Sequence, residues 1–277
     1  MVELELGDRS YDLTHRALVM GILNRTPDSF YDKGLTYDLD ALCKRAEQLV
    51  IDGADLLDVG GVKAGPGPEV TEYEELDRVV GAIAILAARF DVPISVDTWR
   101  ASVAEESYRA GAVLGNDISG FGDPDYLSVA AAAHASVVAT HIRLAPRVAD
   151  PEPIYADLVA DVRSFLSDRA TRALGAGIPP SLIVIDAGLD LGKTAEQSLV
   201  LLRESDRLAS LGYPLLLSAS NKTFLGKLLD LEIDERRDAS LAAAALGIAR
   251  GCRIVRVHDV AGTVRVRDVM SSILEAR

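Results

Sequence analysis

Eight short apolar runs recur along the chain at intervals wide enough for a helix, and each closes on or beside a polar side chain. They are LVMGILN from Leu18, LLDVGG from Leu56, PISVDT from Pro93, VLGNDIS from Val113, SVVATHI from Ser136, SLIVIDA from Ser181, PLLLSAS from Pro214 and RIVRVHD from Arg253. The runs are nearly continuous in apolar residues rather than alternating, as expected of parallel strands covered on both faces. Between them lie stretches with helical spacing, such as DLDALCKRAEQLVIDGA, YEELDRVVGAIAILAARF and AEQSLVLLRESDRLASLG, many ending at glycine as helices do. No Pro/Gly/Ser linker, low-complexity tract or break in composition divides the eight units. The pattern predicts an α/β chain folded as a single (β/α)8 TIM barrel over residues 1–277. An open doubly wound sheet is the other arrangement such units allow.

Composition excludes some functions. The formal net charge is −13, the wrong sign for a protein that neutralises a nucleic-acid backbone, so any anionic ligand must be met by a local cluster of cations. Cys43 and Cys252 are the only cysteines, too few for a disulfide framework and without metal-ligand spacing. The start, MVELELGDRSYD, lacks the basic segment and apolar run of a secretion signal, and no apolar stretch approaches the roughly 20 residues that span a bilayer. These features predict a soluble cytoplasmic protein with neither nucleic acid nor membrane as partner.

The polar residues indicate which end of the barrel matters. Asn24, Asp58, Asp97, Asn116, His141, Asp186, Lys222, Arg256 and His258 sit at or near the ends of their strands. In a barrel those positions converge at the carboxyl-terminal mouth, where this fold places its active sites. Asp97, Asn116 and Asp186 offer two carboxylates and an amide, and Lys222 adds a donor. Such a set suits a flat heterocycle with adjacent N–H donors on one edge and a carbonyl on the other, as in a pterin or a guanine. Arg256 lies between Val255 and Val257; if the valines pack outward, Arg256 and His258 point inward together. An arginine buried there needs an anion. Asp186 or Asp259 could supply it, and so could a pyrophosphate, with Asn24 as a neutral oxygen ligand for Mg2+.

MGILNRTPDSFYDKG, Met20 to Gly34, resembles the first signature of the dihydropteroate synthase family, and DLLDVGG resembles the second. The likeness continues in order through SVDT, NDISG, IDAGLDLGK, LSASNKTFLGKLL, SLAAAALGIARG and IVRVHDV. It implies a pterin-binding barrel that joins a dihydropterin methyl pyrophosphate to the arylamine p-aminobenzoate and releases pyrophosphate, in folate-type biosynthesis, as a homodimer with Mg2+ as cofactor. By this likeness Asp97, Asn116, Asp186 and Lys222 grip the pterin, while Asn24, Arg256 and His258 hold the pyrophosphate and its metal. Asp28, Asp32, Lys222 and Arg256 form the implied catalytic set, with the two aspartates meeting the charge of a pterin cation and Phe30 walling the amine site. Gly34 would let that loop hinge.

The second loop departs from the family. Where GGESTRPGA is usual the chain has GGVKAGPGP, so Ala64 and Gly65 replace a hydroxyl and an arginine, and Lys63 restores a cation without a bidentate fork. Arg25, Asp190 and Asn221 are further departures, standing where a small apolar residue, a glycine and an arginine are usual. The changes fall on second-substrate and leaving-group contacts, while the pterin set is intact. Two functions are therefore expected: a synthase with weakened or altered activity, or a diverged pterin-binding paralogue like the second homologue of actinobacteria. A methyltetrahydrofolate-type methyltransferase shares the barrel but has no need of Arg256 and His258 for pyrophosphate.

Overall fold

The structure, a computed structural model, describes residues 2–25 and 38–276. A hairpin of β1 (Glu3–Leu6) and β2 (Arg9–Asp12) comes first. The barrel strands follow: β3 (Leu18–Asn24), β4 (Leu56–Gly60), β5 (Ile94–Asp97), β6 (Leu114–Asp117), β7 (Ser136–Thr140), β8 (Ile183–Asp186), β9 (Leu215–Leu217) and β10 (Cys252–Val257). They pair in parallel and in sequence order, and β10 closes on β3. All eight apolar runs are strands of one closed barrel, so the open sheet is excluded.

The helices are α1 (Leu39–Ile51), α2 (Glu72–Arg89), α3 (Ala101–Arg109), α4 (Tyr126–Ala132), α5 (Leu158–Gly175), α6 (Ala195–Arg203), α7 (Ser205–Ala209), α8 (Thr223–Leu229), α9 (Arg237–Ala249) and α10 (Val260–Glu275). Their starts are set locally. Asp38 accepts from the amides of Asp40 and Ala41 to open α1, and Thr194 and Gln197 form a reciprocal capping box at α6. None of these helices is long and apolar enough to cross a membrane.

Alternation along the strands sorts the barrel into layers. Outward residues such as Val19, Leu57, Val96, Val255 and Val257 are buried among helix residues including Leu49, Ile83 and Ile248. Inward residues at the amino-terminal end are apolar: Leu18, Met20, Leu56, Leu114, Val138, Val184, Leu216 and Ile254 form one cluster. Leu4, Leu6 and Leu13 join it, so the hairpin closes the bottom of the barrel. The hairpin is an element beyond the eight units predicted from the apolar runs. Four-residue strands give too short an alternation to stand out, although Gly7-Asp8 between them is the kind of two-residue link that turns a hairpin.

Candidate active site

One step up each strand, the inward positions turn polar. Asn24, Asp58, Asp97, Asn116, Asp186 and Arg256 share a face with the apolar plug but lie toward the carboxyl-terminal mouth. A cavity of about 290 Å³ opens there, lined by Asn24, Asp97, Lys222, Arg256 and His258 together with Lys63, Ala64 and Gly65 of the second loop. Eight of the residues expected to form the site therefore surround one space. Asn116 and Asp186 are buried on β6 and β8, the strands either side of β7. Asp28, Phe30, Asp32 and Gly34 lie outside the described residues.

Arg256 is the electrostatic centre. It donates from Nε to Asp58 Oδ2 at 2.6 Å and from Nη2 to Asp97 Oδ2 at 2.8 Å. Asp58 is fully buried, and it also accepts from Ser95 Oγ at 2.5 Å and from Asn116 Nδ2 at 3.1 Å. The anion that meets Arg256 is thus neither Asp186 nor Asp259. Asp186 accepts from the Gly188 amide at 2.8 Å, and Asp259 caps α10 through the Gly262 amide and pairs with Arg237. Burial raises the Asp97 carboxyl against the pull of Arg256, and Asp58 and Glu75 raise it further. Burial opposes the Arg256 charge too, but Asp58 and Asp97 more than offset it and hold the guanidinium firmly protonated.

His258 lies beside this group. Its Nδ1 is 3.0 Å from Ser220 Oγ. Burial, with Arg256, Arg45 and Lys222 nearby, pushes its pKa down to about 3, so at neutral pH it is an uncharged hydrogen-bonding ring rather than a cation. Across the mouth, burial raises the Asp186 carboxyl, against the Gly188 amide and Lys222. Gly188 has φ of 64°, and a Cβ there would lie 2.0 Å from the His141 carbonyl oxygen, so this turn requires glycine. Lys222 donates from Nζ to the Leu189 carbonyl at 2.9 Å.

Several contributors are not apparent from sequence. Asp58 stands among the strand-end residues, but its role as shared partner of Arg256, Ser95 and Asn116 depends on pairing across the barrel; a carboxylate inside the apolar run LLDVGG is the available signal. Lys193 is buried, with Nζ 2.9 Å from His141 Nδ1 and 2.8 Å from the Leu191 carbonyl. Burial lowers it to about 7 and the neighbouring His141 to about 3. This pair braces the turn after β8.

The departures sort by position. Arg25 reaches away from the cavity onto α2, donating to the Arg78 carbonyl at 2.6 Å. Asp190 and Asn221 both have left-handed backbones, with φ of 66° and 58°, a region Asp and Asn tolerate. In the second loop, the Ala64 and Pro68 carbonyls accept from the backbone and side chain of Arg147, in the loop after β7.

Comparison with known proteins agrees with this architecture. The model of the family described as pterin binding enzyme matches residues 20–258. The chain is 42% identical to the dihydropteroate synthase of Bacillus subtilis, covering 94% of this chain and 89% of that protein. It is 43% identical to the inactive dihydropteroate synthase 2 of Mycobacterium leprae, covering 95% and 92%. The solved structure of Yersinia pestis dihydropteroate synthase with a sulfonamide drug complex superposes with a TM-score of 0.95 at 38% identity, covering all of both chains. With the family match running from the first barrel strand to the histidine after the last, the chain belongs to the pterin-binding enzyme family, among the homologues of dihydropteroate synthase.

Proposed function

We propose that this chain is a dihydropteroate synthase-type transferase that binds a dihydropterin methyl pyrophosphate in the barrel mouth and joins it to an arylamine, with weakened activity. In the reaction a C–N bond forms between the pterin methylene carbon and the amine, the C–O bond to pyrophosphate breaks, and the amine loses a proton. One observation carries the reading: Asp97 and Lys222, of the pterin set, share a single cavity with Asn24, Arg256 and His258, of the pyrophosphate set. Asn116 and Asp186, buried near the ends of β6 and β8, are the other two members assigned to the pterin set. Mg2+ fits this donor set as an ion held mainly by phosphate and water, with Asn24 the neutral protein oxygen. Bound there, Mg2+ would offset charge on the leaving group.

A second reading is favoured by the second loop. Ala64 and Gly65 face the cavity without a side-chain donor, and the likeness to an inactive homologue is as close as that to active ones. In this reading the chain binds a pterin and makes no dihydropteroate. Product formation from dihydropterin pyrophosphate and p-aminobenzoate, measured beside a pterin titration, separates the two. Binding with slow turnover supports the first reading, binding without turnover supports the second, and absence of binding overturns both.

A further inference from the structure

Two of the charged groups assigned to the pterin, Asp186 and Lys222, belong to different strands, so something must fix the distance between them. Lys222 is the residue that caps α8, yet its side chain has no acceptor with which to do so. The first amides of that helix are taken instead by Asp190, whose Oδ2 accepts from Thr223 at 2.7 Å and Phe224 at 3.4 Å. Asp190 is itself anchored, its amide donating to Ser198 Oγ on α6 at 3.1 Å. Lys222 is therefore gripped twice by one turn: the Leu189 carbonyl holds its tip, and the Asp190 carboxylate holds the backbone that follows it. At φ of 66° a glycine would keep the turn at lower backbone cost and would lose only the carboxylate.

We propose that Asp190 is a positioning residue for pterin binding, a strut that ties the turn after β8 to the first turn of α8 and so sets the Lys222 ammonium relative to Asp186. This rests on the assignment of Lys222 as a pterin contact. Without the strut, Lys222 keeps its charge and its Leu189 contact, but the backbone that carries it is no longer tied to the turn after β8.

The test is a fluorescence titration with pterin-6-carboxylic acid of the full chain and of the variants Asp190→Gly, Asp190→Asn, Lys222→Ala and the double variant Asp190→Gly/Lys222→Ala. Asp190→Gly is expected to bind roughly fivefold to tenfold more weakly, the scale of a lost helix cap. Asp190→Asn should stay within about twofold of the parent, because its amide oxygen accepts from the same N–H groups. In the Lys222→Ala background, Asp190→Gly should have no further effect. Parent-like binding by Asp190→Gly, an undiminished loss in the double variant, or failure of Asn to rescue would each overturn the strut. So would an Asp190→Gly chain that does not fold, since glycine suits that backbone. A Lys222→Ala chain that binds like the parent refutes the assignment of Lys222, whereas weak binding by Lys222→Ala beside normal binding by Asp190→Gly refutes the strut alone.

Discussion

Asp186 is held in a place that suits a ligand better than it suits the unliganded fold. Its folded pKa lies above the unfolded value, so burying this carboxyl subtracts from stability once pH is above the unfolded pKa, and that penalty is absent only below it. Asp186→Asn removes the charge and keeps an acceptor for the Gly188 amide. It is expected to melt higher than the parent at pH 7 while binding pterin roughly tenfold or more weakly, the cost of a lost charged hydrogen bond. A variant that melts lower, or that binds as the parent does, contradicts the assignment. His258 has the opposite sign. With its folded pKa near 3, the neutral ring contributes stability that is complete above the unfolded pKa near 6.5 and is lost as pH falls toward 3. The chain has four histidines, so ring resonances can be assigned by NMR, and that of His258 should show no protonation between pH 8 and 5. Titration near 6.5 would show the ring to be solvated. Most of the site was legible at this scale because strand-end positions can be read off one run at a time. The bridging of Arg256 to Asp58 and Asp97 was not, since it joins three runs whose relative register appears in no single one of them.

At the level of elements, the second loop after β4 is where the family pattern fails. Losing one preorganised contact to developing charge typically costs about 10²–10³ in rate, so dihydropteroate formation in a coupled product assay is expected to be at least roughly a hundredfold below that of an ordinary synthase. Replacing residues 62–68 with ESTRPGA is structurally reasonable. A Cβ at Gly65 meets no atom of the described residues within 4 Å, and Arg147 holds the loop through backbone carbonyls that the exchange preserves. The exchange should raise the rate if the loop is the main lesion. A chimera that folds and binds pterin without a gain moves suspicion to Asn221 and Asp190. The hairpin carries another lesson. Its alternation was too short to read, yet it buries Leu4 and Leu6 against the barrel plug, and Leu6→Ala is expected to cost about 2–5 kcal/mol in denaturant unfolding. A loss below about 1 kcal/mol would show that the hairpin is only appended to the barrel.

For the whole molecule, the open question is what the outer helices meet. The stretch SLAAAALGIARG offers many small side chains that let helices approach closely, either in a second copy or against the chain's own barrel. Ala242 and Ala249 are exposed, but Ala243, Ala244 and Gly247 are on the buried side of α9, and a Cβ on Gly247 would come 2.4 Å from Leu217. The buried residues cannot also form a dimer contact. The large apolar side chains outward on α9 and α10, the pair that pack on each other, are Leu246 with Val269 and Ile273, the last two one helical turn apart and more than half exposed. A homodimer through this region would draw on these side chains beside the exposed Ala242 and Ala249. Light scattering at micromolar concentration is expected to give twice the chain mass, and Val269→Glu/Ile273→Glu is expected to give the monomer, because like charges would face each other across a two-fold contact. Pterin affinity should survive the double substitution, since the cavity is built from one chain's strand ends. A parent that scatters as a monomer removes the dimer from this face, and a double variant that stays dimeric places it elsewhere on the barrel.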